Sequence, residues 1–406
     1  MNSKIILISI IFIVVVAGIF LFKTFDFSFT YLRLSLLHQE ALTTDYKIFP
    51  YREINNGSTV FSFKKDPLKE QLFLDNNKNI KYMYNGSLKT GSPDELFEET
   101  KTTAFIVIKD DTIYFEKYYN GYKEDSINTS FSIAKSFVSA LVGIAIKEGD
   151  IQSINDPINK YLPELKGDGF SRITIKDLLS MSSGINYTES GDFAILKHMS
   201  DESKSYRYPD LRKLVLNVDI KEDPGLHFRY DNYHPMLLGM IIERTTHMTV
   251  SEYLQEKLWK PLGMKYPATW STDYEKKGLE KLESGLNARA VDYAKFGRLY
   301  LNKGNWDGRQ IIPAEWILES VSPDQKLKEK KDYYPAWIQY SGLYYKYFWW
   351  GGKGVNSGYD YFAWGQHGQY VYIVPQKNII MVRLGMEYGL DNYDWPNVFR
   401  YMAEKL

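Results

Sequence analysis

The chain of 406 residues contains no cysteine. This absence excludes a disulfide framework, a thiol nucleophile, a zinc–thiolate site and a lipid-modified cysteine anchor. Its six histidines are scattered and show no metal-binding spacing such as H-E-x-x-H. We therefore expect a mechanism without a metal or another cofactor.

An excess charge of either sign is also missing, because 50 Lys and Arg residues balance 50 Asp and Glu residues. A neutral chain gives no reason to expect nucleic acid as a partner. Apolar residues make up 44% of the sequence and charged residues 25%, which is typical of a globular protein with a substantial core. Internal repeats and low-complexity stretches are absent from the sequence.

Residues 4–22 (KIILISIIFIVVVAGIFLF) carry no charge after Lys4 and are long enough to cross the hydrocarbon core of a bilayer. No A-x-A-like cleavage site follows, so the pattern favours an uncleaved transmembrane signal anchor over a removed signal peptide. We expect a single-pass protein of the cell membrane whose main domain is extracytoplasmic. A buried soluble helix is the alternative.

The remaining pattern predicts an α+β fold, in which an antiparallel β-sheet is flanked by helices and a mainly helical subdomain is inserted at about 150–285. Residues 23–95 are interpreted as a stalk and lead-in region, and residues 96–406 as the main domain. TTAFIVIK and TIYFEKYYN, separated by two aspartates, predict a β-hairpin. An apolar helix follows over 132–148, and the chain ends with several strands and a helix at about 395–405.

Ser132-Ile133-Ala134-Lys135 forms an S-x-x-K pattern at the start of that apolar helix. Positions i and i+3 share one helix face, so the Lys135 amine can reach the Ser132 hydroxyl. Burial disfavours the charged ammonium and makes lysine a usable base, which a serine nucleophile requires. The alternative is a capping serine beside a lysine that extends to solvent. Ser62–Lys65 also fits the pattern, but no apolar helix follows it.

Tyr230-Asp231-Asn232 lies in a loop directly before another strongly apolar helix. A tyrosine hydroxyl can relay a proton to a leaving group, and the Asn232 amide can hold a substrate carbonyl. Alternatively, both are ordinary residues at the start of a helix.

Gly365-Gln366-His367-Gly368-Gln369 precedes the strand YVYIVP. Small residues at a strand edge allow a substrate backbone to approach, and a strand N–H beside Ser132 could complete an oxyanion hole. A simple hairpin turn is the alternative. The nearby tryptophans, Trp349, Trp350 and Trp364, form either an apolar acyl pocket or part of the core.

Taken in order, these three segments resemble the serine β-lactamase and penicillin-binding-protein superfamily. FSIAKSFVSALVGIAIKEGDI, ITIKDLLSMSSGI and FRYDNYHPMLLGMIIERTT resemble segments of its class C β-lactamase-related hydrolases, which include esterases and 6-aminohexanoate-oligomer hydrolases. The resemblance covers about residues 100–400 and implies a β-lactamase/transpeptidase-like fold. It also implies acyl transfer on Ser132, with Lys135 and Tyr230 sharing acid–base duty and the N–H groups of Ser132 and Gln369 as oxyanion donors.

The third segment departs from the Lys-Thr-Gly of the superfamily. Gln366, His367 and Gly368 take those three positions, or His367 takes the Lys position if the register slips by one residue. Without that lysine the site lacks a fixed cation for a substrate carboxylate. The resemblance therefore implies a small ester, amide or peptide-like substrate. A β-lactamase or D,D-carboxypeptidase, and a non-catalytic cell-wall or β-lactam sensor on the same fold, are the alternatives.

Overall fold

The computed structural model describes residues 12, 16, 40–167, 169–189, 200–274, 276–330, 332–391 and 394–406. The predicted transmembrane anchor at 4–22 lies outside the described residues, apart from residues 12 and 16. Within the described part of the chain, no helix is both long and apolar enough to cross a membrane.

An eight-stranded sheet forms the centre of the molecule, in the order β12-β13-β14-β15-β16-β5-β6-β2. All neighbouring pairs are antiparallel except β2 and β6, which are parallel. Its strands are β2 (Lys64–Lys65), β5 (Thr102–Lys109), β6 (Thr112–Tyr118), β12 (Tyr344–Lys346), β13 (Trp349–Lys353), β14 (Tyr359–Gly365), β15 (Gln369–Val374) and β16 (Ile379–Gly385).

Smaller sheets account for the other strands of the described residues. A four-stranded sheet has the order β1-β8-β9-β7, and two hairpins pair β3 with β4 and β10 with β11. These strands are β1 (Tyr51–Ile54), β3 (Ile80–Tyr84), β4 (Ser87–Gly91), β7 (Asn128–Thr129), β8 (Ala268–Ser271), β9 (Leu286–Ala288), β10 (Asn305–Trp306) and β11 (Arg309–Gln310).

Helices cover both faces of the central sheet. The α-helices of the described residues are α1 (Pro67–Asn76), α2 (Pro93–Glu99), α3 (Ile133–Glu148), α4 (Ile175–Leu179), α5 (Asp201–Arg207), α6 (Leu211–Leu216), α7 (Tyr233–Thr246), α8 (Val250–Leu254), α9 (Ala290–Leu301), α10 (Ala314–Val321), α11 (Gln325–Glu329), α12 (Ala336–Ser341) and α13 (Trp395–Glu404). One face carries α9 and α3, and the other carries α1, α2 and α13.

Local sequence signals explain the two elements that frame the site. Asp110 and Asp111 turn the β5–β6 hairpin with φ values of 52° and 56°, a left-handed pair that suits the twist of a two-residue hairpin. Helix α3 is buried from Ile133 to Ala145, and Gly149 ends it in the left-handed region at φ 86°. Because α3 has no polar face in this stretch, it is held between the sheet and α7.

The described part of the segment interpreted as a stalk and lead-in, residues 40–95, contributes strands to both larger sheets. Strand β1 pairs with β8 and strand β2 pairs with β6, while α1 packs on β6. The inserted region at about 150–285 contains α4 to α8 and also contributes β8 to the smaller sheet. The α3 helix packs on α7, so the insertion shares a core with the central sheet.

Candidate active site

A cavity of about 1310 Å³ opens where the N-terminus of α3 meets the end of β14 and the inserted region. Among the described residues, no group of three or more His, Asp or Glu side chains is arranged to hold a metal ion. The cavity is lined by Glu40, Ala41, Phe131, Ser132, Tyr187, Glu189, Glu202, Ser203, Tyr206, Arg207, Phe228, Arg229, Tyr230, Asn232, Glu283, Ser284, Pro335, Trp337, Trp350, Trp364, Gly365, Gln366, His367, Tyr388 and Leu390.

Ser132 occupies the N-cap position of α3, but its side chain makes no capping hydrogen bond. Instead its Oγ accepts a hydrogen bond from Lys135 Nζ at 2.8 Å. The residue before it, Phe131, has a φ of 45°, an unfavourable left-handed conformation for an aromatic residue. The interpretation of Ser132 as a helix-capping serine is thus excluded, and the bend at Phe131 turns its hydroxyl into the cavity.

Lys135 is buried, with only 1% of its surface exposed, so it does not extend to solvent. Besides Ser132, its Nζ donates to the Glu283 carbonyl at 2.9 Å. Desolvation lowers the pKa of Lys135 to about 7, although the negative charges of Glu283, Glu202 and Asp231 partly oppose the shift. A substantial fraction of the amine is therefore neutral near neutral pH, as a general base must be.

Tyr230 completes the cluster. Its hydroxyl is hydrogen-bonded to Ser132, and Lys135 Nζ lies 4.9 Å from the centre of its ring. Burial raises the pKa of Tyr230, so the phenol keeps its proton at neutral pH. The ring stacks on Trp350 with centroids 6.1 Å apart, which fixes its orientation. The three predicted residues Ser132, Lys135 and Tyr230 are thus in mutual contact.

The loop after Tyr230 is held by a buried polar cluster. The Asp231 carboxylate accepts the Tyr233 N–H at 2.6 Å, and its other oxygen lies 3.3 Å from His234 Nε2. Burial lowers the pKa of His234 to about 3, so the imidazole is neutral. Asn232 lines the cavity and donates to Ser205 Oγ at 3.1 Å. The cluster anchors the loop that presents Tyr230 and Asn232.

The end of β14 approaches Ser132 more closely than any side chain would allow. A Cβ on Gly365 would lie 2.4 Å from the Ser130 carbonyl oxygen and 3.1 Å from the Ser132 nitrogen. Only glycine permits this contact between backbones. Gln366 follows Gly365 in the sequence and lines the cavity, so its N–H is the first backbone donor after the contact between β14 and Ser132.

The structure does not bring Gly368 and Gln369 against Ser132. Gly368 faces Arg383, and the Gln369 side chain is tied to the backbone of Gly385 by two hydrogen bonds of 2.6 and 3.1 Å. Gly365 therefore replaces Gly368 as the glycine at the nucleophile, a shift of three residues against the predicted register. The sequence pattern misplaced it because both glycines flank the same turn.

His367 lies in that turn and lines the cavity, but its ring is engaged elsewhere. Its Nε2 is 2.7 Å from the Ala41 carbonyl, and its ring is 5.0 Å from that of Phe131. His367 thus packs against the first described segment of the chain instead of contacting Ser132.

A family model described as beta-lactamase matches residues 94–389, which is most of the chain. The chain belongs to the β-lactamase family. The 6-aminohexanoate-dimer hydrolase of Paenarthrobacter ureafaciens is 28% identical over 321 residues, which cover 76% of this chain and 79% of that protein. This β-lactamase family member is accordingly a serine hydrolase, as the sequence predicted.

Solved structures show the same fold. A Bacillus anthracis protein provisionally assigned as a 6-aminohexanoate-dimer hydrolase matches with a TM-score of 0.76 and 23% identity, covering 93% of this chain and 95% of that one. A penicillin-binding protein from Bacillus halodurans matches with a TM-score of 0.56 and 15% identity, over 75% and 97% of the two chains. The predicted α+β, β-lactamase/transpeptidase-like fold is therefore confirmed.

Of the three tryptophans singled out in the sequence, two line the cavity and one belongs to the core. Trp350 and Trp364 line the cavity of the β-lactamase domain, with ring centroids 5.4 Å apart, and Trp337 lies 5.6 Å from Trp350. Trp349 is fully buried and packs on Tyr300 in the core. One wall of the cavity is thus aromatic.

Two contributors to the site were missed by the sequence analysis. The Glu283 carbonyl accepts a hydrogen bond from Lys135 although the two residues are distant in sequence, so no local sequence pattern predicts the contact. Arg383 supports the β14–β15 turn from behind, and it is the one charged residue in the strand IIMVRLG. A single arginine within such an apolar strand indicates a buried guanidinium that binds several acceptors.

We expect Gly365→Ala to slow the reaction of Ser132 with a fluorophosphonate probe by about 10-fold or more, because the added methyl must displace either β14 or the nucleophile. The rate of labelling, followed by mass spectrometry, measures this effect. Gly57→Ala is the matched control, since a Cβ there lies an ordinary 3.5 Å from the Lys260 carbonyl. Equal labelling rates in both variants and the wild type would contradict the close approach.

Proposed function

We propose that this protein hydrolyses an ester or linear amide bond by two-step acyl transfer on Ser132. The observation that carries the proposal is the 2.8 Å hydrogen bond between Lys135 Nζ and Ser132 Oγ inside a desolvated pocket. A neutral amine in that position can take the serine proton as the hydroxyl attacks.

In the first step, Ser132 Oγ bonds to the substrate carbonyl carbon while its proton passes to Lys135. The negative charge that develops on the carbonyl oxygen is received by the N–H groups of Ser132 and Gln366, the backbone donors at the contact between α3 and β14. The bond to the leaving alcohol or amine breaks as Tyr230 delivers a proton to it. Tyr230 is then reprotonated from Lys135, which leaves a neutral base beside the acyl-enzyme.

In the second step, water attacks the acyl carbon and gives its proton to the same pair of groups. The bond to Ser132 Oγ breaks, the serine recovers a proton, and the carboxylic acid leaves. Asn232, at the cavity wall, orients the substrate carbonyl or amide through its side chain. Each step returns Lys135 and Tyr230 to the protonation states in which they began.

The third segment of the site favours esters and linear amides over β-lactams and peptidoglycan peptides. With Gly365 as the third-segment glycine, Ala363 takes the position of the superfamily's lysine, so the strand offers no cation there. The cavity wall carries charges of both signs, with Glu189 and Glu202 beside Arg207 and Arg229. We place the chain in the class C-related branch that contains 6-aminohexanoate-dimer hydrolase, with a small amide, ester or peptide-like substrate.

We further propose that residues 4–22 anchor the protein in the cell membrane with its catalytic domain extracytoplasmic. The uncharged run after Lys4 supports this placement.

The direct test of the chemistry is hydrolysis by the wild type beside Ser132→Ala. The substrates are a short-chain p-nitrophenyl ester, a linear ε-aminohexanoyl amide and a chromogenic cephalosporin. We expect the ester and the amide to be turned over, and the rate to fall at least about 10³-fold without the serine hydroxyl. The absence of cysteine removes background thiol chemistry. Stoichiometric acylation by the cephalosporin without turnover of any substrate would instead identify a sensor.

The pH dependence follows from the burial of Lys135. Because its pKa is lowered to about 7 and the neutral amine is the base, kcat/KM should fall about tenfold per pH unit below 7 and level off above it. Tyr230, whose pKa is raised, stays protonated and adds no descending limb below pH 10. Lys135→Arg, which cannot deprotonate, should be inactive throughout. A flat profile from pH 5 to 9 would rule out Lys135 as the base.

For the anchor, we expect the full chain expressed in a bacterium to pellet with membranes and to resist extraction by high salt, because an apolar span is released only by detergent. A chain that begins at residue 24 is the comparison and should remain in the supernatant. Extraction of the full chain by salt alone would disprove the anchor.

A further inference from the structure

Arg383 is fully buried in β16, on the face of the central sheet that packs against α13: its partner across the strands is Phe105, which stacks on Phe399. Its guanidinium lies over the Trp395 ring, 4.0 Å from the ring centre. Burial lowers the pKa of this arginine to about 9. A charged group is placed here at a large desolvation cost, which hydrogen bonds must offset.

All five donors of the guanidinium are used. Nε donates to Thr102 Oγ1 at 3.0 Å, and Nη2 donates to the carbonyls of Thr100 and Glu387 at 2.9 and 3.2 Å. Nη1 donates to the carbonyls of His367 and Gly368 at 3.2 and 2.6 Å. The planar fork thus satisfies buried backbone groups that few other side chains could reach together.

Two of these carbonyls belong to the turn that follows Gly365. His367 and Gly368 adopt positive φ values of 60° and 72°, and only 2.2 Å would separate a Cβ on Gly368 from Arg383 Nη1. The guanidinium is therefore fitted into the back of the turn, while the front of the turn faces the cavity through Gln366 and His367.

A third carbonyl ties down the neighbouring cavity wall. Glu387 begins the loop that carries Tyr388 and Leu390, both of which line the cavity. The same loop is fixed from the other side, where Trp395 Nε1 donates to the Tyr388 carbonyl at 2.7 Å. Arg383 and its stacked tryptophan hence hold two segments that meet at the cavity.

We propose that Arg383 is a positioning residue that fixes the β14–β15 turn so that the Gln366 N–H points at the oxygen of the reacting carbonyl. It contacts no reacting atom and acts only through the backbone that it binds. The inference rests on the proposed acyl transfer at Ser132, because the Gln366 N–H acts as an oxyanion donor only in that reaction.

The test compares Arg383→Lys with Arg298→Lys. Arg298 is a matched control because it is also a buried arginine, lies 4.3 Å from a tryptophan ring centre and binds Asp111 and Asp307 beyond the opposite end of β5. Lysine keeps the charge at each site but cannot span several acceptors. Each enzyme is normalised to its active fraction by fluorophosphonate titration, and thermal unfolding is measured for both.

We expect Arg383→Lys to lower kcat about 10- to 100-fold with little change in KM, because the donor is misplaced only for the transition state. Binding of phenylboronic acid, which forms a tetrahedral adduct on serine, should weaken by a similar factor. Arg298→Lys should lose comparable thermal stability but keep its kcat. Thr102→Val removes the acceptor of Nε together with the 3.1 Å hydrogen bond between the Thr100 and Thr102 hydroxyls, and leaves the other four guanidinium bonds in place. It should change kcat in the same direction by a smaller factor and remains informative if Arg383→Lys folds poorly.

The outcomes separate the two proposals. If the wild type is inactive and unlabelled by the fluorophosphonate, acyl transfer itself is wrong. If the wild type is active and depends on Ser132, but Arg383→Lys and Thr102→Val keep the wild-type kcat and boronate affinity, the positioning role alone is overturned. Equal losses of kcat in the Arg383 and Arg298 variants would show a general effect of lowered stability and would also overturn it.

Discussion

The exclusion of water from the Lys135 amine is the constraint on which the active site depends. A charged ammonium at this depth would cost several kcal/mol to bury, so the surroundings favour the neutral amine. That exclusion needs the apolar flanks of α3, the packing of α7 against it, and the Tyr230 ring above Nζ. The same helix that forms the core of the domain therefore also lowers the pKa of the amine beside Ser132.

The Glu283 carbonyl provides the buried Lys135 amine with a hydrogen-bond acceptor. It gives the amine one fixed acceptor besides Ser132, so the nitrogen is oriented without a direct carboxylate contact. A carboxylate at that distance would stabilise the charged form and raise the pKa of the amine. The negative charges of Glu283 and Glu202 exert a weaker influence of that kind on the pKa of Lys135, without a direct contact between either carboxylate and Nζ.

Much of the fold and the centre of the site followed from local sequence signals. The β5–β6 hairpin, helix α3 and the pairing of Ser132 with Lys135 are decided within a few residues, where turn conformations and helix periodicity act directly. The glycine that meets Ser132 could not be chosen in this way, because Gly365 and Gly368 flank one turn and only strand register decides between them. The contribution of β1 to the smaller sheet and the bond from Glu283 join distant segments, which local patterns do not encode.

The contact between Ala41 and His367 makes the beginning of the described chain part of the cavity wall. Its neighbour Asp45 accepts a hydrogen bond from Tyr206 at 2.9 Å, so this segment is attached to the inserted region as well as to the turn. Residues 40–45 therefore connect the cavity wall to two parts of the fold, the β14–β15 turn and the inserted region. A substitution in this segment would therefore change the shape of the pocket wall and the packing of the lead-in on the domain at the same time.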